Sequence, residues 1–330
     1  MNAHLAIPGA AAPASKNPFA PSAYERKRGR AAIRKKWLMF AFCALLIVPL
    51  LLILAHIFIK AAPLFSLHYI WDNPVNKGKA GGLWAPLVGT FYLVIGSLIV
   101  VAPIGIFAAI YLNEYAKEGW INRTISITVT SLAGVPSIVH ALFGLGAFVL
   151  TMLPAINRLI ADPNNPEKKW EAGLLTASLT IAVMNLPVII TSAREALGSV
   201  PFSFREACWN LGATRWQTIR TIVVPNSLSG ILTGVILTVS RAAGETAPIL
   251  FTGATYFKFI ADSGWGKIFP FSIGEPFVAM SMHLNVICTQ ISRMPDVMKF
   301  GAAAVLIALI LFINSFAIVL RVWLRGRKRW

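Results

Sequence analysis

The stretch SVPFSFREACWNLGATRWQTIRTIVVPNSLSG, Ser199 to Gly230, is polar, rich in helix formers and interrupted by one glycine, and it stands between two long apolar runs. Ser203 followed three residues later by Glu206 has the spacing of a capping box, in which each side chain bonds the other's backbone amide at a helix start. The spacing predicts a short helix from there to near Gly212, where left-handed backbone costs glycine little. Thr214 with Gln217 repeats the device and predicts a second short helix that runs to about Val224 and ends at Pro225. Two helices with a glycine joint can be a surface element that fixes two span ends, or a docking element for a partner. The residues alone leave both open.

Outward from this loop, six segments reach the roughly 20 mostly apolar residues that a membrane-crossing helix needs: 37–59, 87–112, 125–150, 173–193, 227–252 and 302–324. Composition agrees. Of 330 residues 56% are hydrophobic and 13% charged, with mean hydropathy +0.68, whereas soluble domains carry about 25% charge. The fold class is an all-α integral membrane protein with six transmembrane helices.

A net charge of +17 is compatible with nucleic-acid binding, but basic residues gathered in short segments beside apolar runs are what membrane orientation requires. No nucleic-acid partner is expected; the lipid bilayer is. Placing both termini inside puts nineteen Lys and Arg in cytoplasmic segments and ten in external ones, so the chain is expected to be multi-pass with cytoplasmic termini. Residues 1–36 read as a disordered tail whose basic end (Arg26, Lys27, Arg28, Arg30, Arg34, Lys35, Lys36) lies against anionic lipid. Residues 326–330 form a basic end. Neither an apolar h-region nor a small-residue cleavage site stands near the start, so no cleaved signal peptide is expected. The segment 253–301 lacks a hydrophobic run and is expected to lie over the mouth of a path.

Cys43 falls in the first span, Cys208 in a cytoplasmic loop and Cys288 in an external loop, so no disulfide and no metal-ligand spacing follow. No phosphate-binding G-x-x-x-x-G-K-[ST], hydrolase G-x-S-x-G or zinc-binding H-E-x-x-H occurs, nor paired carboxylates or histidine clusters within spans. The chain is therefore not expected to be an enzyme or to bind a metal or cofactor itself. GLGAFV, Gly144 to Val149, reads as close helix packing. Gly134-Val135-Pro136 reads as a packed kink within the third span, and His140 as a histidine hydrogen-bonded to a neighbour.

SRAAGETAPILFTG, Ser240 to Gly253, puts Arg241 and Glu245 four apart inside the fifth span, on one helix face. At about +2.5 to +3.5 kcal/mol per mid-helix charge the pair offsets most of that span's apolar gain, so it should face protein or water. Either it is glue between helices, or it lines a solute path, with Arg241 offering a fork to a tetrahedral oxyanion and Glu245 holding or releasing that arginine. Gly244 and Ala247-Pro248 would let the backbone open there.

Two sets of residues carry a family resemblance. Glu206-Ala207-Cys208, Gly212, Ile222 and Pro225 resemble the EAA loop of ABC importer permeases, departing at Cys208 and Val224. RAAGETAPILFTG, with IGIFAAIYLNEYA (Ile104–Ala116) and LAGVPSIVHALFG (Leu132–Gly144), resembles the PstA family, the membrane subunits of bacterial phosphate importers. The match spans about residues 85–325, with the coupling loop at 199–225. One departure precedes the loop: the family's Arg-x-x-Glu after the proline of the fourth span is replaced by Thr191 to Glu195, with the positive charge at Arg194.

The resemblance implies a type I ABC importer permease (MetI-like) core made by the last five spans, in the bacterial inner membrane. It implies Arg241, Glu245 and Thr246 on the substrate path, and Glu206, Ala207 and Gly212 coupling to an ATPase. Implied partners are a PstC-like permease subunit, a PstB-like ATPase dimer that binds ATP and Mg, and a PstS-like phosphate-binding protein. Alternating access would be the mechanism. A permease for another oxyanion (sulfate, molybdate) and a secondary carrier without an ATPase are the rival readings.

Overall fold

The computed structural model describes residues 23–117, 119–160, 169–255, 266 and 270–326. Residues 1–22 of the expected tail and the basic end 327–330 lie outside the described residues. The chain forms two compact units, Met1–His56 and Ile57–Trp330.

In the first unit the helix Ala23–Ala61 already includes the basic stretch, which corrects the expectation of disorder through residue 36. Ala, Arg and Lys are strong helix formers, and a helix nucleated in the apolar run extends into them without a new nucleation step.

Among the described residues six helices are long and apolar enough to cross a membrane: Ala32–Leu64, Trp84–Tyr115, Ser137–Ile160, Leu174–Gly198, Arg215–Gly244 and Asp296–Trp323. They are the first to sixth spans below. Three boundaries differ from expectation for physical reasons. The third span is Ser137–Ile160 and not 125–150, because Gly134–Pro136 separates it fully from the helix Trp120–Ala133. Pro136 donates no amide and disfavours helical backbone in Val135, so the expected kink is a complete break.

The fifth span also absorbs the second short helix of the loop, and Pro225 does not end it. The turn Ile219–Val223 is widened to i→i+5 bonding, which relieves the clash that a proline ring makes with the carbonyl four residues back, here Thr221. At its other end the helix stops at Gly244, instead of continuing to 252. A separate helix, Ala247–Thr252, restarts after two residues.

The fourth span is the packing centre: 67% of its apolar window is buried, against 39% for the second span and 28% for the fifth. Its neighbours reach it on glycines. A Cβ on Gly96 would lie 2.6 Å from Ser178 Oγ, on Gly105 2.6 Å from Ile189, and on Gly144 2.2 Å from Thr180 Oγ1. On the fifth span, Gly230 and Gly234 face Ala196 and Ser192 in antiparallel register, at 2.5 and 2.6 Å by the same measure. Small residues four apart let helix backbones meet closely where no hydrophobic effect drives them together. Gly144 is thus the packing glycine expected of GLGAFV; Gly146 is not, since nothing lies within 4 Å of a Cβ there.

The segment after 253 is more than a cover. Phe271, Phe277, Val278, Ala279, Met282 and Val286 join the core cluster that holds Leu93, Ile181 and Ala242. Its backbone bonds the span ends: Leu174 and Leu175 amides donate to Glu275 and Ile273 carbonyls at 3.1 and 3.0 Å, and the Met280 amide to Thr90 Oγ1 at 2.8 Å. Cys288 accordingly lies on a helix, Met280–Thr289, and not in a loop. A hairpin of two-residue strands, Pro74–Val75 with Ala80–Gly81, precedes the second span.

Candidate functional site

Two groups of residues stand at opposite ends of the fifth span, whose 30 residues extend about 45 Å at 1.5 Å per residue. At one end is the helix break. Arg241 lies in the last turn before it, and Glu245, with φ −73° and ψ 134°, has left the helix. Arg241 Nε nevertheless donates to Glu245 Oε1 at 3.1 Å, so the expected pair forms across the break. Their side chains are 36% and 19% exposed. Thr246 is half-buried beside them.

Pro248 sits in the first turn of the restarting helix, where a missing amide costs nothing. The Glu245 carbonyl released by the break accepts from Ser281 Oγ at 2.9 Å, so the segment after 253 holds the break open. Ser240 Oγ bonds Asn314 Oδ1 of the sixth span.

More polar groups stand nearby in depth. The register that pairs Ser192 with Gly234 and Ala196 with Gly230, carried two turns on, puts Asn185 level with Arg241. Asn185 is fully buried, and neither its Oδ1 nor its Nδ2 has a hydrogen-bond partner among the described residues. His140 is buried with Nδ1 3.4 Å from the Pro136 carbonyl, the neighbour-bonded histidine that was expected. Asn185 was missed; a lone asparagine in the most apolar part of a span was its only sequence signal.

At the other end is the helix Phe202–Asn210 with its glycine exit. The Ser203–Glu206 capping box does not form: Pro201 is the N-cap, no side chain caps it, and Ser203 is already the second helical residue. The start is set instead by Arg205, which reaches back to the Val200 and Leu197 carbonyls at 2.7 and 3.0 Å. The exit is as expected. Gly212 has φ +84°, its amide donates to the Trp209 carbonyl at 2.9 Å, and the Ala213 amide to the Cys208 carbonyl at 3.0 Å, a Schellman closure. The Thr214–Gln217 box is present, with bonds of 2.8 and 3.3 Å.

Glu206, Ala207 and Gly212 are all exposed, as are Phe202, Phe204, Trp209, Leu211 and Trp216. Exposed apolar side chains gathered in this way are the kind of surface that a partner or a membrane covers. Sequence reasoning also missed Arg205, the buried residue of the helix, paired with Glu114 at the end of the second span. Arg194, the displaced positive charge, bonds Ser126 Oγ on Trp120–Ala133 and so ties two helices.

Residues 101–330 match the family model of the binding-protein-dependent transport system inner membrane component. The chain belongs to that family. It is 31% identical to the phosphate transport system permease protein PstA of Mycobacterium leprae, over 86% of each chain, and is a permease of the PstA type. It is 28% identical to the probable ABC transporter permease protein YqgI of Bacillus subtilis, over 84% of this chain and 91% of that one. It is also 34% identical to the phosphate transport system permease protein PstC of Haemophilus influenzae, over 59% of this chain and 63% of that one. This permease is a multi-pass membrane transport subunit, not an enzyme.

Proposed function

We propose that this permease is the PstA-like subunit of an ATP-driven inorganic phosphate importer, forming the translocation path with a PstC-like sister subunit. The observation that carries the reading is Arg241 at an open helix break, with Nε engaged by Glu245 and the rest of its fork partly exposed. A forked, permanently charged donor set matches the oxygens of a tetrahedral oxyanion, and broken helices at membrane depth are where transport sites are built.

The exposed helix Phe202–Asn210 fits the second half of the proposal. Glu206, Ala207 and Gly212 would dock into a PstB-like ATPase dimer that holds ATP and Mg, and a PstS-like protein would deliver phosphate at the opposite face. Both chain termini and the Phe202–Asn210 helix would then be cytoplasmic, in accord with the excess of Lys and Arg on that side. Closure of the ATPase pair would move the docked helices and rock the spans, exposing the path to one side at a time.

The test is uptake of radiolabelled phosphate by cells whose only copy of this subunit is wild type or Arg241→Gln. Uptake by wild type that phosphate or arsenate suppresses and sulfate or molybdate does not, lost in a well-inserted Arg241→Gln protein, is expected. Normal uptake by Arg241→Gln reduces the pair to glue between helices, and a wild type that carries no phosphate refutes the substrate.

A further inference from the structure

We propose that the buried Glu114–Arg205 ion pair is the joint through which the Phe202–Asn210 helix moves the second and fourth spans, an inference that rests on the importer reading above. One guanidinium holds three elements. Arg205 Nε donates to Glu114 Oε2 at 3.1 Å and Nη2 to Glu114 Oε1 at 2.7 Å. Nη1 donates to the Val200 carbonyl at 2.7 Å, two residues past the fourth span, and Nη2 also to the Leu197 carbonyl at 3.0 Å, in that span's last turn. The side chains are 8% and 7% exposed, and Asn113 Nδ2 steadies Glu114 Oε1 at 2.7 Å.

Packing explains why this bond matters mechanically. Arg205 is the one buried residue of its helix, and the helix lies along an open groove of about 590 Å³ lined by Asn113, Glu114, Phe202, Arg205, Trp209 and Arg215. With little apolar bedding beneath it, the helix is tied to the spans by the two-pronged fork, and a fork resists rotation where a single contact would swivel. Glu114 itself sits in a widened turn, Tyr111–Tyr115, at the end of the second span. Such turns are held against the cost of poorer backbone bonding and recur at functional sites.

From the joint the connection runs on through rigid contacts. Leu197 lies in the last turn of the fourth span, whose Ala196 and Ser192 meet Gly230 and Gly234 of the helix that carries Arg241. Glu114 and Arg205 are positioning residues in this scheme: they touch neither phosphate nor nucleotide.

The experiment uses the complete importer, with both permease subunits, ATPase and binding protein, in proteoliposomes, and reads phosphates imported per ATP hydrolysed, normalised to assembled complex. Arg205→Lys keeps the charge and loses the fork. The double variant Glu114→Gln/Arg205→Gln removes both charges together, so that neither is left buried alone if the single variant fails to fold. Each is expected to lower the ratio at least about fivefold, the lower bound for a useful coupling between sites. Glu114→Asp, which keeps charge and partner, should retain more of the ratio than Glu114→Gln. Assembled Arg205→Lys complexes with the wild-type ratio, or variants whose uptake falls only as assembly falls, would overturn the joint alone. A wild-type complex that takes up no phosphate overturns the proposed function and the joint with it.

Discussion

Replacing Glu245 by Gln should make the permease hold phosphate more tightly and pass it more slowly. The change keeps an acceptor oxygen for Arg241 Nε, now 3.1 Å away, and removes only the charge. Two unit charges at that separation attract by about 5 kcal/mol at an effective dielectric constant of about 20. Arg241 is 36% exposed, so solvent screens much of this, and the net worth of a charge-assisted bond, about 1.5 to 3 kcal/mol, is the better figure. An anion arriving at Arg241 must compete with that bond. Glutamine still bonds the arginine as a neutral acceptor, worth about 0.5 to 1.5 kcal/mol, so the competition falls by about 1 to 1.5 kcal/mol and phosphate binding should tighten roughly five- to tenfold, at 1.4 kcal/mol per decade. The assay is equilibrium dialysis of radiolabelled phosphate against the purified membrane complex without binding protein, beside turnover in proteoliposomes. Tighter binding with slower turnover is the expected pair of results. Unchanged or weaker binding by a fully assembled Glu245→Gln complex would refute the idea that Glu245 and phosphate share one arginine.

Two further outcomes follow from packing and burial. Gly234→Ala should destabilise the assembled protein although alanine is about 1 kcal/mol the better helix former, because its Cβ would lie 2.6 Å from that of Ser192 and overpacking costs about 1 to 3 kcal/mol; the double variant with Ser192→Gly should recover the wild-type thermal midpoint, which a melting series in detergent checks. Burial lowers the pKa of His283 from 6.5 to about 4, so between those values the unfolded chain binds the extra proton, stability falls as pH drops through that window, and the span of the effect is about 3 kcal/mol. His283→Gln should flatten the dependence of the midpoint on pH between about 7 and 4.

What was legible in the sequence was local. The Thr214–Gln217 box, the glycine exit at Gly212 and the apolar runs of the spans each state their structure within a few residues, and the structure follows them. The reading failed where distant partners decide. Ser203 and Glu206 have capping-box spacing, yet the helix starts two residues earlier, at the point fixed by the bonds of Arg205 to Val200 and Leu197, and the carboxylate partner of Arg205 lies 91 residues away in sequence. A usable signal existed: Glu114 and Arg205 are opposite charges expected at the same membrane end. The stretch after 253 looked like a loop because its apolar residues come in short runs. Its backbone is satisfied partly within itself, as where the Thr255 amide bonds the Phe277 carbonyl, and partly by the ends of the second and fourth spans, a pattern that no periodicity reports.

The two ends of the fifth span are joined by interfaces that have little give. Where glycine meets Ser192, Ala196, Ser178 or Thr180, no long side chain lies between the backbones to change rotamer, and a displacement of one helix must be passed to the next or break the contact. The fourth span is gripped in this way by the second, third and fifth, packing that favours a shift of the four together over sliding of one past another. Among the described residues, compliance is left to the places where helical bonding is already interrupted or widened: Tyr111–Tyr115, Gly134–Pro136, Leu145–Met152, Ile219–Val223 and Glu245–Thr246. At the last of these an ion pair joins the final turn of the helix, through Arg241, to the interruption itself, through Glu245. A change of backbone angle at Glu245 alters the distance to Arg241 directly, so a bend at this interruption also decides whether the arginine is held or free.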